Sequence, residues 1–153
     1  MVEIRSLRAG DSTAVSDVIA QCLRKVNSRD YSEELIERMC AHFSSARIEQ
    51  LAEERQMFVA VENETVVGTV SRAGHKVYTM FVLPRMIGRG VGRRLMQHIE
   101  ALAAGEGHDY METGASITAH GFYRRLGYVD VRTSETEFGL NYILRKPLRG
   151  TMT

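Results

Sequence analysis

Three glycines at alternate positions, Gly88, Gly90 and Gly92, stand at the start of a strongly helical pattern that opens with arginines. Residues 81–95 contain no Ser, Thr, Asp or Asn that could act as an N-cap. A helix N-terminus has unpaired N–H groups and about half a positive charge, so acidic residues are expected in its first turn. The reversed pattern predicts an external anion, because glycines let a phosphate approach the backbone amides. A solvated basic turn, with glycines that ease a bend, is the alternative.

The composition limits the classes of protein to which the chain can belong. Its 153 residues are 44% hydrophobic and 25% charged, which predicts one globular domain over residues 1–153. Lys+Arg number 20 against 19 Asp+Glu, so the chain lacks the bulk basicity of a nucleic-acid reader. It has neither the apolar core of a signal peptide nor a membrane-spanning apolar run, so we expect a cytoplasmic protein without a membrane partner.

Cysteine and histidine spacing argues against a metal site. Cys22 and Cys40 lie in helix-like segments without ligand spacing, which favours reduced core thiols over a catalytic cysteine. The histidines form no i, i+4 pair with a carboxylate ligand, so we expect no metal cofactor.

Hydrophobic periodicity predicts strands and helices in a mixed order. Residues 2–8 alternate as a strand, and two helices follow, the first capped by Asp11 or Ser12 and the second by Ser32, with a continuation past Ser44. Next come a hairpin that turns at residues 62–64, a strand that ends before Pro84, and the helix after the glycines. The last elements are a strand, a short helix and two strands. The order β-α-α-β-β-β-α-β-α-β-β predicts an α/β fold with a mixed central sheet and helices on both faces.

Two common nucleotide-binding motifs fit the glycines poorly. A Rossmann fingerprint reads G-x-G-x-x-G after the first strand, whereas this chain has G-x-G-x-G after its fourth, and only Asp109 stands near the expected acidic position. A P-loop requires Gly-Lys-Ser or Gly-Lys-Thr, and the sequence contains neither.

The stretch FVLPRMIGRGVGRRLM, followed by SITAHGFYRRLGY, resembles the GNAT superfamily of acetyl-CoA-dependent N-acyltransferases. The family's phosphate loop reads Q/R-x-x-G-x-G/A after a strand that ends V-x-P, and residues 87–92 match it except at Ile87. The downstream signature is reproduced as well, although Ser116 stands where many members have Asn; its matching residues are Ala119, Phe122, Tyr123, Gly127 and Tyr128. The family's order of elements fits residues 2–148, so the resemblance implies a GNAT-like sheet.

The resemblance also implies a co-substrate, acetyl-CoA, whose pyrophosphate is the external anion. Backbone amides from Arg89 to Arg93 would hold the pyrophosphate, with Arg85, Arg89 or Arg94 adding charge. Its pantetheine arm would lie along residues 78–83 and bond to the main chain of Met80 and Val82. The residues implied in binding are Met80, Phe81, Val82, Ile87, Gly88, Arg89, Gly90, Val91, Gly92, Arg93, Ser116 and Tyr123.

Two side chains are implied in catalysis. Tyr123 would donate to the sulfur of the leaving thiolate, the alternative being a packing tyrosine. Glu112 would accept a proton from the incoming ammonium, the alternative being a polar strand residue. A His120 that faces the co-substrate is one interpretation, and a partly exposed helix histidine is the favoured one. Two segments shape the acceptor site in the family, and in this chain they carry acidic residues: Asp30, Glu33, Glu34, Glu135 and Glu137. These side chains would suit a cationic amine, or they are solvated surface charges.

The sequence therefore predicts an N-acetyltransferase that moves an acetyl group from acetyl-CoA to a primary amine of a small cationic molecule, by direct attack. Three alternatives stay open: a protein N-terminal or lysine acetyltransferase, a non-catalytic acyl-CoA sensor, and a Rossmann-like nucleotide binder. We expect a small-molecule amine as the partner, and we expect neither nucleic acid nor a membrane to bind. The sequence is compatible with a homodimer.

Overall fold

A computed structural model describes residues 1–148; the last five residues of the predicted domain lie outside the described part. The first half contains β1 (Val2–Ser6), α1 (Ser12–Lys25), a 3₁₀ turn (Asn27–Arg29), α2 (Glu33–His42), α3 (Ser45–Glu54), β2 (Gln56–Glu62) and β3 (Thr65–Ala73). The second half contains β4 (Lys76–Val82), a 3₁₀ turn (Pro84–Met86), α4 (Val91–Gly105), β5 (Tyr110–Ala115), α5 (His120–Arg125), β6 (Val129–Thr136) and β7 (Gly139–Pro147).

The seven strands of the described residues form one sheet in the order β1-β2-β3-β4-β5-β7-β6. Each neighbouring pair is antiparallel except β4 and β5, which are parallel and joined by α4. The predicted mixed sheet and its crossover helix are therefore confirmed. The hairpin between β2 and β3 turns at Asn63 and Glu64, both at positive φ, as a tight two-residue turn requires.

Helices cover both faces of the sheet. Met80 and Phe81 are consecutive residues of β4, and consecutive strand side chains point to opposite faces. A Cβ at Gly92 of α4 would lie 3.0 Å from Met80, whereas the Phe81 ring lies 5.8 Å from that of Phe43 at the end of α2. We call these two sides the α4 face and the α2 face.

The helical region between β1 and β2 differs from the prediction. The second helix is split, because the Ser44 side chain accepts a hydrogen bond from the Arg47 amide and starts α3 as a new helix. Ser32 caps α2 as predicted, by accepting from the Leu35 amide. Asp11 occupies the N-cap position of α1, but its carboxylate binds Arg5 instead of the helix amides.

The core lies between the helices and the sheet, and most of its residues are aliphatic or methionine. Ile19 of α1, Ile48 of α3, Leu95 and Ile99 of α4 and Leu144 of β7 are all fully buried. Within residues 1–148, each helix is too short or too polar to cross a lipid bilayer.

Candidate active site

A gap between β4 and β5 is the main irregularity of the sheet. The two strands pair only at Lys76 with Glu112 and at Val77 with Thr113. Beyond these pairs the strands separate, so no strand within residues 1–148 pairs with residues 78–82 on that side. The Leu83 amide bonds to Val67 of β3, and backbone groups alternate in direction along a strand, so the Val82 amide points towards the gap. The gap therefore offers main-chain donors to an extended ligand.

A β-bulge in β4 shapes this gap. Thr69 pairs with Phe81 and Ser71 with Tyr78, so two residues of β4 lie opposite one residue of β3. One of the two, Thr79, has φ +44, which is rare for a β-branched residue. The Ser71 hydroxyl stabilises the bulge, at 2.5 Å from the Thr79 hydroxyl and 3.2 Å from the Tyr78 carbonyl oxygen. With the bulge in place, Tyr78 and Phe81 lie opposite Ser71 and Thr69, while Met80 packs against α4.

The N-terminus of α4 presents a row of open amides beside the gap. Its N-cap is Gly90, at φ +83, and no side chain of the described residues caps the helix. Ideal Cβ atoms at Gly88 and Gly90 would meet no atom within 4 Å, whereas one at Gly92 would lie 3.0 Å from Met80 and from Phe122. In residues 1–148, five amides of this loop bond to no protein acceptor: those of Gly88, Gly90, Val91, Gly92 and Arg93.

These observations fit an anion with several oxygens, because several unpaired amides lie where the helix dipole is positive. Two details differ from the prediction. The Arg89 amide already bonds to the Met86 carbonyl oxygen at 3.2 Å, so it is not a free donor. Gly92 is required by the packing of α4 against β4 and α5, and its lack of a side chain does not leave open space for a ligand.

The arginines of the loop point in different directions. Arg94 donates to the Val2 carbonyl oxygen at 2.6 Å, so its side chain is held against β1. Arg85 and Arg89 both approach the Glu62 carboxylate, at 3.8 and 3.9 Å. The neighbouring Ile87, in the place of the family's Gln or Arg, is exposed. Among the loop arginines, Arg93 alone has no ion-pair or hydrogen-bond partner within the described residues, so it can turn to a ligand phosphate.

Tyr123 lies on α5 and faces the sheet next to the gap. It is 4% exposed, and its ring meets those of Phe122 and Tyr128 edge to face. Burial raises the pKa of Tyr123 to about 12, while a hydrogen bond with the Thr113 side chain opposes the rise. The hydroxyl therefore keeps its proton at neutral pH and can act as a donor.

Tyr128 is itself held in place by α4. Its hydroxyl donates to the Glu100 carboxylate at 2.7 Å, and Lys146 of β7 donates to the same carboxylate at 3.1 Å. The Tyr128 amide bonds to the Tyr123 carbonyl oxygen at 3.1 Å. This network fixes the turn after α5 and, through it, the Tyr123 ring.

Glu112 lies at the closed end of the gap, on the strand predicted for it. Arg145 of β7 donates from Nε to its carboxylate at 2.8 Å, and the Glu112 side chain is only 12% exposed. An incoming ammonium would have to compete with the Arg145 guanidinium for this carboxylate. The contact weighs against Glu112 as the general base.

Ser116 and His120 make contacts within the protein. The Ser116 hydroxyl accepts from the Ala119 amide at 3.1 Å and so supports the turn before α5. His120 Nε2 lies 2.9 Å from the Asp130 carboxylate oxygens, and its ring stacks on that of Tyr142 at 3.9 Å. These contacts give both residues structural roles in the described chain.

Sequence reasoning missed two features of the α2 face. The linker between α1 and α2 is attached to the β5–α5 loop, because the Ile117 amide donates to the Tyr31 hydroxyl at 2.9 Å and the Thr118 hydroxyl donates to Asp30 at 2.7 Å. An aromatic group that contains Phe43 and Phe138 also lies on this face. Neither feature has a local signal, since the contacting residues are far apart in sequence.

Several charged groups of the α2 face already have partners. The Arg55 guanidinium lies 3.8 Å from the Tyr78 ring centroid, and Arg145 lies 4.6 Å from that of Tyr110. The Val82 amide is within hydrogen-bonding reach of the Cys22 sulfur, so a ligand that used this amide would displace that contact. Burial raises the pKa of the Cys22 thiol. A raised pKa leaves little thiolate and fits a core thiol better than a nucleophile. Within residues 1–148 there is no group of three or more His, Cys, Asp or Glu side chains that could hold a metal ion.

Comparison with known proteins agrees with this geometry. The family model described as "Acetyltransferase (GNAT) domain" matches residues 27–143. An uncharacterized N-acetyltransferase, YafP of Escherichia coli strain K12, is 26% identical over 136 residues, which are 89% of this chain and 87% of YafP. Among solved structures, a GCN5-related N-acetyltransferase from Rhodopseudomonas palustris has a TM-score of 0.87 at 23% identity and covers 95% of this chain and 94% of its own.

A second solved structure, the PaiA N-acetyltransferase of Thermoplasma acidophilum in complex with coenzyme A, has a TM-score of 0.78 at 19% identity and covers 96% of this chain and 99% of its own. These likenesses agree with the fold derived above, and the family model covers most of the chain. The chain belongs to the GNAT acetyltransferase family.

Proposed function

We propose that this acetyltransferase moves an acetyl group from acetyl-CoA to the primary amine of a small cationic molecule by direct attack. The row of open amides at the start of α4, next to the gap between β4 and β5, is the observation that carries the proposal. The coenzyme A bound by the PaiA structure supports the same donor.

The co-substrate would lie on the α4 face. The amides of Gly88 and Gly90–Arg93 would hold its pyrophosphate, and the Val82 amide would serve the pantetheine arm or the thioester carbonyl oxygen. When bound, acetyl-CoA supplies the activated acyl group. An amide aimed at the carbonyl oxygen stabilises the charge that develops there during attack.

Tyr123 would act as the hydrogen-bond donor to the leaving sulfur. Its pKa of about 12 is well above the usual thiol pKa of about 8.5, so complete proton transfer to a thiolate is uphill. The Tyr123 hydroxyl would therefore stabilise the thiolate by a hydrogen bond, and the proton lost by the attacking nitrogen can neutralise the sulfur.

The acceptor amine would enter from the α2 face. The co-substrate would occupy the α4 side of the gap, so a nucleophile that attacks through the gap must come from the opposite side. Exposed acidic side chains lie there, since Glu137 is close to His42 and Asp30 lies on the α1–α2 linker. These charges support a cationic acceptor.

Calorimetry and a thiol-release assay would test the donor and the reaction separately. We expect acetyl-CoA and CoA, but not NAD or ATP, to bind and to raise the melting temperature, because a ligand specific for the folded state stabilises it. A panel of small amines should then release CoA thiol in equal amounts with acetylated amine. NAD or ATP binding in place of CoA would overturn the donor, and CoA binding without thiol release for any amine would indicate a sensor.

A further inference from the structure

Four partly exposed rings form a continuous group on the α2 face, which we call the aromatic arch: His42, Phe43, Phe81 and Phe138. The His42 ring meets Phe43 at 4.8 Å and Phe138 at 5.3 Å, and Phe43 meets Phe81 at 5.8 Å, all in edge-to-face geometry. Each ring uses an edge or one face for these contacts. Because all four residues are partly exposed, part of their ring surface is open to a ligand, although the Arg38 guanidinium lies near the Phe138 ring.

The arch crosses the gap from one strand to the other. Phe81 belongs to β4, on one side of the gap. Phe138 lies in the turn between β6 and β7, and β7 pairs with β5 on the other side. His42 and Phe43, at the end of α2, connect the two. A molecule that reaches the gap from the α2 face therefore passes these rings.

The charged side chains next to the arch are of both signs. Glu137 is 3.9 Å from His42 and its side chain is 64% exposed, so its carboxylate can face a single ammonium group. The Arg38 guanidinium already lies 5.9 Å from the Phe138 ring centroid. A second cationic group of the acceptor would be repelled by Arg38.

We propose that the acceptor is an arylalkylamine, a primary amine on a short chain with a flat aromatic body, and that the aromatic arch binds this body. The inference rests on the proposed function and names the class of its acceptor. Aromatic rings pack favourably on one another in edge-to-face or offset geometry, beyond the effect of buried area. The short chain would carry the amine into the gap while the ring stays in the arch.

The first experiment compares acceptors of matched amine chemistry with the wild-type protein and saturating acetyl-CoA. The probes are 2-phenylethylamine, butylamine and spermidine. We expect kcat/KM for 2-phenylethylamine to exceed that for butylamine by about 100-fold, the order of discrimination that a close-fitting apolar pocket provides. Calorimetry in the presence of CoA should show the same preference in Kd. A preference for spermidine, or equal values for the two monoamines, would overturn the inference.

The second experiment tests the arch itself. Phe138 lies in a partly exposed turn, so Phe138→Ala should fold normally, and we expect it to lower the ratio of kcat/KM between 2-phenylethylamine and butylamine by about tenfold. Val129→Ala is the matched control, because it removes an exposed apolar side chain from β6 outside the arch. An unchanged ratio in Phe138→Ala, or an equal fall in Val129→Ala, would overturn the role of the arch.

The two proposals fail in different ways. If butylamine or spermidine is acetylated and 2-phenylethylamine is not, the enzyme activity stands and the acceptor class is wrong. If acetyl-CoA binds and none of the amines releases thiol, the proposed reaction is wrong, and with it the acceptor class.

Discussion

The hydroxyl of Tyr123 is the group on which the proposed chemistry depends most directly. It is almost fully buried, its pKa is raised, and its ring is held by Tyr128 and Phe122. A packing tyrosine would share these features. The substitution Tyr123→Phe separates the two roles because it keeps the ring and removes only the donor.

We expect Tyr123→Phe to lower kcat by roughly ten- to a thousandfold, within or just below the range for general acid catalysis. The affinity for acetyl-CoA, measured by calorimetry, should stay within about twofold, since the ring contacts remain. Phe122→Leu, which changes a ring without a donor, serves as the comparison. Wild-type turnover in Tyr123→Phe would mean that the residue only packs.

Gly90 is the residue that tests the amide row. The side chain in Gly90→Val would stand in the space above the loop, so we expect acetyl-CoA binding to be lost. Valine at φ +83 also strains the backbone, which costs about 1–3 kcal/mol. Gly107→Val has the same cost at the other end of α4, because Gly107 has φ +92 and open space around it.

Calorimetry on the two glycine variants gives a clear contrast. Both should unfold at lower denaturant concentration than the wild type, but only Gly90→Val should fail to bind acetyl-CoA. Equal affinity in the two variants would show that the phosphate groups bind elsewhere.

At the scale of single elements, the sequence predicts the strands and α4 well and the α1–α3 region less well. The glycine loop, Pro84 and the hairpin at Asn63 have local backbone reasons that can be read from the chain. The break at Ser44 is harder to predict, since apolar residues on both sides of it continue the helical spacing. Asp11 is also misleading because it stands at the N-cap position, but its backbone is helical and its carboxylate is bound to Arg5.

The Arg5–Asp11 pair gives a test of that element with a defined pH dependence. The Asp11 carboxylate accepts hydrogen bonds from both terminal guanidinium nitrogens of Arg5, at 2.8 and 3.3 Å. It also accepts one from the Arg8 amide at 2.7 Å. The bond to Arg5, followed by that to the Arg8 amide, holds the pKa of Asp11 below its ordinary value, although burial opposes this. The pair should fix the turn between β1 and α1.

We expect Asp11→Asn to lower the free energy of unfolding by about 1.5–3 kcal/mol at pH 7, the range for hydrogen bonds to a charged group. Because the folded-state pKa is depressed, this stabilisation is complete above the unfolded pKa of about 3.9 and is lost as the pH falls through the lower folded-state value. Urea unfolding should show a constant difference between wild type and variant from pH 7 to pH 5 and a smaller one below pH 4. A difference that grows on acidification would contradict the assignment.

At the scale of the whole molecule, the gap divides the sheet into two parts that share few backbone contacts. The strands β1–β4 and β5–β7 meet only through the two residue pairs at the closed end. The mixed sheet could be predicted from the order of elements, but the gap could not. It depends on the bulge at Thr79 and on contacts between distant segments, such as Tyr31 with Ile117, that leave no periodic signal.

A co-substrate in the gap would take the place of a missing strand, and hydrogen exchange can detect this. We expect saturating acetyl-CoA to slow amide exchange in residues 78–82 and 88–93, because donors that now face solvent would bond to the ligand. Exchange in β6, at the far edge of the sheet, should change little, which makes that strand the internal control. The Gly90→Val variant at the same ligand concentration should show no protection in either segment. Equal protection of β6 and residues 78–82 would indicate a general stabilisation and would contradict binding in the gap.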